Sequence, residues 1–147
     1  MNVELMTQGH IGDVEEIERL CFSSPWSEES LGMLLREGGV GFAAVEDGRT
    51  VAYAGMLTVL DEGQITNIAT HPDYRRRGFA RAVTRALTEY AKEQGLGSIY
   101  LEVRISNRTA IDLYESCGFY GIGTRKNFYS HPTEDAQLMK YDVREEE

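Results

Sequence analysis

The sequence predicts a mixed α/β (α+β) fold, with a central, mostly antiparallel sheet of about seven strands flanked by about four helices. Three observations carry this. Strand-like and helix-like runs follow in the order strand, two helices, three strands, helix, strand, helix, two strands. Asp47-Gly48 lies between two strand-like runs, which is a strong hairpin signal because both residues tolerate the turn's positive φ. The strand-helix-strand stretch over residues 62–103 implies a parallel crossover inside an otherwise antiparallel sheet.

The elements can be justified in order. Residues 3–7 read as a short first strand. From residue 13 to about residue 20 a helix is expected, with Val14, Ile17, Leu20 and Cys21 as its apolar stripe. A second helix restarts after Pro25-Trp26, where Ser27 suits the N-cap and Glu28 and Glu29 suit the electropositive first turn. Leu31, Leu34 and Leu35 give that helix its buried side, and Gly38-Gly39 ends it. Strands follow over residues 41–46, 50–60 and 62–70, and Pro72 stops the third because proline has no N–H for a ladder. A long helix over about residues 77–94 puts Val83, Leu87 and Tyr90 on one face and closes at Gly95. Residues 98–103 alternate as a strand, and residues 107–117 form a helix with Ile111 and Tyr114 three apart. The last strands, 119–123 and 136–141, flank a polar loop over residues 126–135, and residues 142–147 read as a disordered acidic tail.

The 147 residues suit one domain, 1–147, since a second core would have too little chain. The net charge of −9 excludes a general nucleic-acid binder, whose affinity comes from neutralising phosphates with basic excess. No apolar stretch approaches the ~18 residues of a membrane span, and no basic region followed by an apolar run opens the chain. A reducing, cytoplasmic setting without membrane attachment is expected. Cys21 and Cys117 lack metal-ligand spacing, and His10, His71 and His131 form no ligand pattern, so no metal is expected. The three histidines read as surface or turn residues. Nothing in the pattern fixes an oligomeric state.

The basic residues cluster at one place, Arg75-Arg76-Arg77 with Arg81. They surround the point where a strand ends at His71-Pro72 and a helix starts near Gly78. The first turn of a helix has unpaired N–H groups and about half a positive charge. Gly78 and Ala80 leave that turn free of bulky side chains, so an anion can reach the backbone. The combination suits a diphosphate, although a solvated basic helix end has the same composition. No Gly-Lys-Ser/Thr is present and no Gly-x-Gly-x-x-Gly opens a helix after a strand, which argues against Walker and Rossmann sites.

Arg75-x-x-Gly78-x-Ala80 resembles the Arg/Gln-x-x-Gly-x-Gly/Ala motif of the GNAT superfamily of acetyltransferases, and the order of elements resembles that family over nearly the whole chain. The stretch 101–119, LEVRISNRTAIDLYESCGF, is similar to one subgroup, the RimI-type ribosomal-protein-alanine N-acetyltransferases. So are Phe22-Ser-Ser-Pro-Trp-Ser27, Ile65-Thr-Asn-Ile-Ala69, Arg125-Lys-Asn-Phe-Tyr129 and Glu134-Asp-Ala136.

The resemblance implies acetyl-CoA as cosubstrate and direct transfer to a protein's N-terminal amine, that of an alanine on a small-subunit ribosomal protein. By position, the pyrophosphate would lie on the backbone amides around Gly78, Phe79 and Ala80, framed by Arg75, Arg76, Arg77 and Arg81. Backbone groups of Ile68, Ala69 and Thr70 would meet the pantetheine arm as an added strand would, and Asn107 would also contact the cofactor. Glu102 would be the general base, and Tyr114 the general acid for the departing thiolate. Trp26, Phe128 and Tyr129 would face the acceptor. The last motif position holds alanine, which the pattern admits; the subgroup's Tyr-Tyr pair is Phe128-Tyr129, and the loop Ser130-His-Pro-Thr133 is particular to this chain.

Acceptor chemistry agrees with an N-terminus. An α-amine of pKa about 8 is roughly a quarter neutral at pH 7.5, whereas a lysine near 10.4 is about a thousandth neutral, a difference of roughly 3 kcal/mol. Two other readings are carried: the same chemistry on a small-molecule amine, and a non-catalytic acyl-CoA sensor.

Overall fold

The computed structural model describes residues 2–143. The strands are β1 (Asn2–Leu5), β2 (Gly39–Glu46), β3 (Arg49–Val59), β4 (Glu62–Thr70), β5 (Ser98–Arg104), β6 (Tyr120–Tyr129) and β7 (Glu134–Asp142). The helices are α1 (Ile11–Cys21), α2 (Glu28–Leu31), α3 (Phe79–Gln94) and α4 (Arg108–Ser116), with 3₁₀ turns at Gln8–His10, Gly32–Leu35 and Pro72–Tyr74. The expected mixed α/β class with seven strands and four helices is the architecture observed. The strand order is β1-β2-β3-β4-β5-β7-β6. Every neighbouring pair is antiparallel except β4 and β5, which the α3 crossover makes parallel.

Each sheet face has its own core, because successive strand side chains point to opposite sides. On β3, Ala52, Ala54 and Met56 face one side with α3 and α4, while Tyr53 faces the other with α1 and α2. The helix α3 contributes Phe79, Val83, Leu87 and Ala91 to the first cluster. Leu87 is fully buried, and Leu87→Ala would cost about 2–5 kcal/mol for lost transfer energy plus the cavity. Met6, Ile11, Val14, Ile17, Leu31 and Leu34 pack under α1 and α2.

Several local expectations are corrected. Leu20 is 50% exposed, and the buried position on α1 belongs instead to Glu18, which is 0% exposed. One glutamate oxygen finds donors in the sheet and the other finds one in the loop after α1, so a carboxylate occupies what looked like an apolar stripe. The second helix is one α-turn followed by a 3₁₀ turn, with Ser27 Oγ accepting from the Ser30 N–H at 3.2 Å. The long helix starts at Phe79 rather than residue 77, because Gly78 has φ +85°, outside the helical region. The polar loop expected over residues 126–135 is mostly strand: β6 runs to Tyr129 and β7 starts at Glu134. The edge strand β6 is exposed almost throughout and shifts register between Arg125 and Tyr129, so it lacks the apolar alternation that marks a strand. His71 is buried at its turn, where Nδ1 accepts from the Asp73 N–H at 3.1 Å. Of the expected tail, Asp142 ends β7 and the Val143 N–H donates to the Gly97 carbonyl at 2.9 Å; residues 144–147 lie outside the described residues.

Candidate active site

The site begins as a defect in the sheet. β4 and β5 pair only over Glu62–Gln64 and Ser98–Tyr100, and beyond that point no register joins them. β4 also carries a bulge: Gly55 pairs with Asn67 and Met56 with Ile65, leaving Thr66 unopposed. A bulge bends its strand and re-aims the backbone beside it. A cleft of about 600 Å³ opens here. One wall is residues 65–68 of β4, the opposite wall is residues 101–104 with Asn107 and Tyr114, and the loop of residues 22–26, the end of β6 at Phe128 and Tyr129, and the β6–β7 loop line the end.

Along the same direction β4 leads to the N-terminus of α3. The backbone turns left-handed at Arg76 (φ 67°) and again at Gly78 (φ +85°), and no side chain caps the helix. A Cβ built on Gly78 meets nothing within 4 Å, so the helix end is open to an approaching group. Unpaired amides and the helix dipole make this an anion cradle, and the residues present fit a diphosphate. The guanidiniums stand around it while engaged with the protein: Arg75 reaches Cys21 Sγ at 3.5 Å, Arg77 lies 5.2 Å from the Tyr74 ring centre, and Arg81 donates to Ser116 Oγ at 2.6 Å.

Glu102 lies on β5, half-buried, where Gln64 Nε2 donates to its Oε1 at 3.2 Å. Tyr114 lies on α4 and is 8% exposed. Burial pushes its phenol well above the ordinary tyrosine range, with Tyr129 and Cys117 adding to the shift. Asn107 caps α4, its Oδ1 accepting from the Ala110 N–H at 3.2 Å. Burial also pushes Tyr129 up to about 12, with the Glu102 carboxylate adding and the Arg104 guanidinium opposing. Arg104 lies 4.5 Å from the Tyr129 ring centre and donates to the carbonyls of Pro132 and Ser130 at 2.9 and 3.2 Å, and to Glu134 Oε1 at 3.1 Å. It therefore holds the β6–β7 loop in place. That loop meets the α1–α2 loop, where Ser23 Oγ donates to the His131 carbonyl at 3.2 Å.

With this geometry in place, similarity to known proteins identifies the family. The model of the Acetyltransferase (GNAT) family matches residues 11–119. The chain belongs to the GNAT family of acetyltransferases. It is 39% identical over 131 residues to the [ribosomal protein bS18]-alanine N-acetyltransferase of Escherichia coli strain K12, covering 86% of this chain and 87% of that protein. It is 38% identical to the Salmonella typhimurium strain LT2 enzyme of the same name, covering 87% and 88%. The crystal structure of the ribosomal-protein-S18-alanine N-acetyltransferase from Escherichia coli superposes with a TM-score of 0.90 at 32% identity, covering 99% of this chain and 96% of that one.

In this GNAT acetyltransferase the sequence-predicted residues fall into three groups. Ile68, Glu102, Asn107, Tyr114, Trp26, Phe128 and Tyr129 line the cleft together. Arg75, Arg76, Arg77, Gly78, Ala80 and Arg81 gather at the start of α3, while Phe79 turns its side chain into the core and leaves only its backbone there. Ala69 and Thr70 continue β4 past the cleft wall: the Ala69 side chain is buried under α1, and the Thr70 carbonyl accepts from Cys21 Sγ at 3.3 Å. Trp26 is half-buried against the α1 cluster and exposes part of itself to the cleft.

Sequence reasoning passed over Glu18, Gln64, Thr66, Asn67 and Arg104. Glu18 could have been found, because residues 14, 18 and 21 share a helical face and an acid amid that stripe is out of place. Thr66 and Asn67 could have been found as a polar pair that breaks the alternation between Ile65 and Ile68, whereas Gln64 and Arg104 carried no signal, since one polar residue in a strand ordinarily faces water.

Proposed function

We propose that this acetyltransferase moves the acetyl group of acetyl-CoA directly to the α-amine of a protein N-terminus, the alanine of a small-subunit ribosomal protein. The observation that carries this reading is the cleft itself: Glu102 and Tyr114 share it with two loops that meet over its end at Ser23 and His131. Such a mouth accepts a slender, extended chain end. The E. coli and S. typhimurium relatives are named for that acceptor, which supports the same assignment here.

Acetyl-CoA supplies the activated acyl group, and the open end of α3 with its arginines would hold the diphosphate. Glu102 receives the proton that the acceptor ammonium must lose, directly or through one water, and Gln64 keeps the carboxylate facing the cleft. The neutral nitrogen attacks the thioester carbonyl, the C–N bond forms, the C–S bond breaks, and the nitrogen gives its second proton to solvent as it becomes the amide. Tyr114 presents its O–H to the departing sulfur. A phenol near 10 donating to a thiolate whose acid is near 8.5 moves the proton uphill by about 2 kcal/mol, and burial steepens that. Tyr114 thus works by position, as a donor that is never lost to ionisation, and solvent restores its proton.

The test is incubation with acetyl-CoA and a peptide bearing the ribosomal N-terminus, read by mass spectrometry. One acetyl group on the α-amine is expected. Turnover of small amines with no peptide acetylation would overturn the acceptor, and tight CoA binding without any transfer would overturn catalysis.

A further inference from the structure

The molecule holds a buried acid that the chemistry above does not use. Glu18, on α1, is 0% exposed and takes donors from three separate segments. Its Oε1 accepts the main-chain N–H of Trp26 at 2.7 Å. Its Oε2 accepts the Tyr53 hydroxyl of β3 and, at 2.9 Å, the Asn67 amide of β4. One oxygen thus grips the α1–α2 loop and the other grips the sheet. Asn67 immediately follows Thr66, the unopposed residue of the bulge, and both line the cleft.

A carboxylate is a poor choice for filling a core. Its desolvation is expensive, and replacing buried charges with well-packed apolar residues is often neutral or stabilising. Burial accordingly pushes the Glu18 carboxyl up, against the three hydrogen bonds that pull it down. What an apolar side chain could not do is join a loop amide to two sheet side chains at fixed separation. Those partners line adjoining parts of the same cleft: Trp26 on the loop at its end, Asn67 on the strand that forms one wall and borders the thioester's expected path.

We propose that Glu18 is a positioning residue for acetyl transfer, its carboxylate fixing the Trp26 loop against the β4 bulge and so setting where the acceptor amine meets the acyl group. The inference rests on the acetyl-transfer reading above. Glu18 touches no substrate and acts through Trp26 and Asn67. A glutamine at this position keeps the volume but presents an NH₂ to one set of donors, so one end of the bridge opens.

Trp26 is the single tryptophan, which gives a readout independent of activity. In Glu18→Gln, acrylamide quenching of Trp26 should rise about twofold and emission should move to the red. The acceptor-peptide KM should rise about tenfold, kcat should change less, and CoA affinity should stay within about twofold, the pattern of a lost acceptor-positioning contact. A purely structural role would lower Tm and leave KM and quenching alone at 25 °C; a cooperatively folded variant behaving so overturns the proposal. If Glu18→Gln does not fold, Tyr53→Phe decides, since it removes one donor and keeps the ring: an acceptor KM raised about threefold supports the bridge, and an unchanged KM overturns it. If the wild-type chain acetylates no N-terminal peptide, the acceptor assignment fails, while Trp26 quenching still decides the bridge.

Discussion

Tyr114 keeps its proton because water is excluded from it, and Glu102 keeps contact with the cleft because β5 turns it half outward. Exchanging either group alters chemistry more than shape. Glu102→Gln and Tyr114→Phe should each lower kcat on the order of 10²-fold, with the CoA dissociation constant within about twofold of wild type by calorimetry. Wild-type kcat in both would remove them from the mechanism. The pH profile follows from the same groups. In the proposed mechanism the reacting amine must be deprotonated and Tyr114 protonated, and burial moves the phenol's titration above its usual range. Activity, read as kcat/KM at constant salt, should therefore climb as pH approaches about 8 and show no phenol-linked fall up to about pH 10. A falling limb centred near 9 would point to a different acid. Both residues were singled out through a stretch of 19 residues that resembles a known subgroup, and the fold places both in one cleft. Glu18 and Arg104 were not, because a helical acid and a strand arginine look solvated until the tertiary structure supplies the donors of one and the carbonyls facing the other.

Among the elements, α3 shows most clearly what sequence could and could not specify. Its apolar face and its closing glycine were readable from spacing. Its start was misplaced by two residues, since Arg77 is a good helix former and only the backbone reveals Gly78 at positive φ. That glycine supports a prediction. Gly78→Asp brings a negative side chain to the amides proposed to hold the diphosphate and costs roughly 1–2 kcal/mol in backbone strain. Coenzyme A affinity should fall at least tenfold on the order of one lost charge-assisted contact, measured by calorimetry on the folded variant; unchanged affinity would move the site elsewhere. The strand β6 is the opposite case. As an exposed, bulged edge it has no buried side to impose a period, so its polar second half read as loop. The β4 bulge left one trace that went unread: Ile65 and Ile68 are three apart, with Thr66 and Asn67 between them, which breaks the period of two where the register shifts against β3.

For the whole molecule, element order and class were legible because 147 residues leave few ways to cover both sides of one sheet. The split between β4 and β5 was not, since it is a property of two strands together. A ligand that fills such a split binds the folded chain and not the unfolded one. Coenzyme A at about a hundredfold over its dissociation constant should add about 2.7 kcal/mol, which for a chain of this size raises Tm by roughly 8 °C in a calorimetric scan. Gly78→Asp should lose most of that shift at the same ligand concentration, and no shift in wild type would contradict the site. The strand order also has a consequence for biosynthesis. β5, which carries Glu102, is joined to β4 by three residue pairs, and its other neighbour is β7, the last of the seven strands in chain order, rather than β6. Translation delivers the anion cradle at the head of α3 well before it delivers the partner that aligns the carboxylate. The proposed donor pocket and the proposed base therefore come together only when residues 134–142 take their place between β5 and β6.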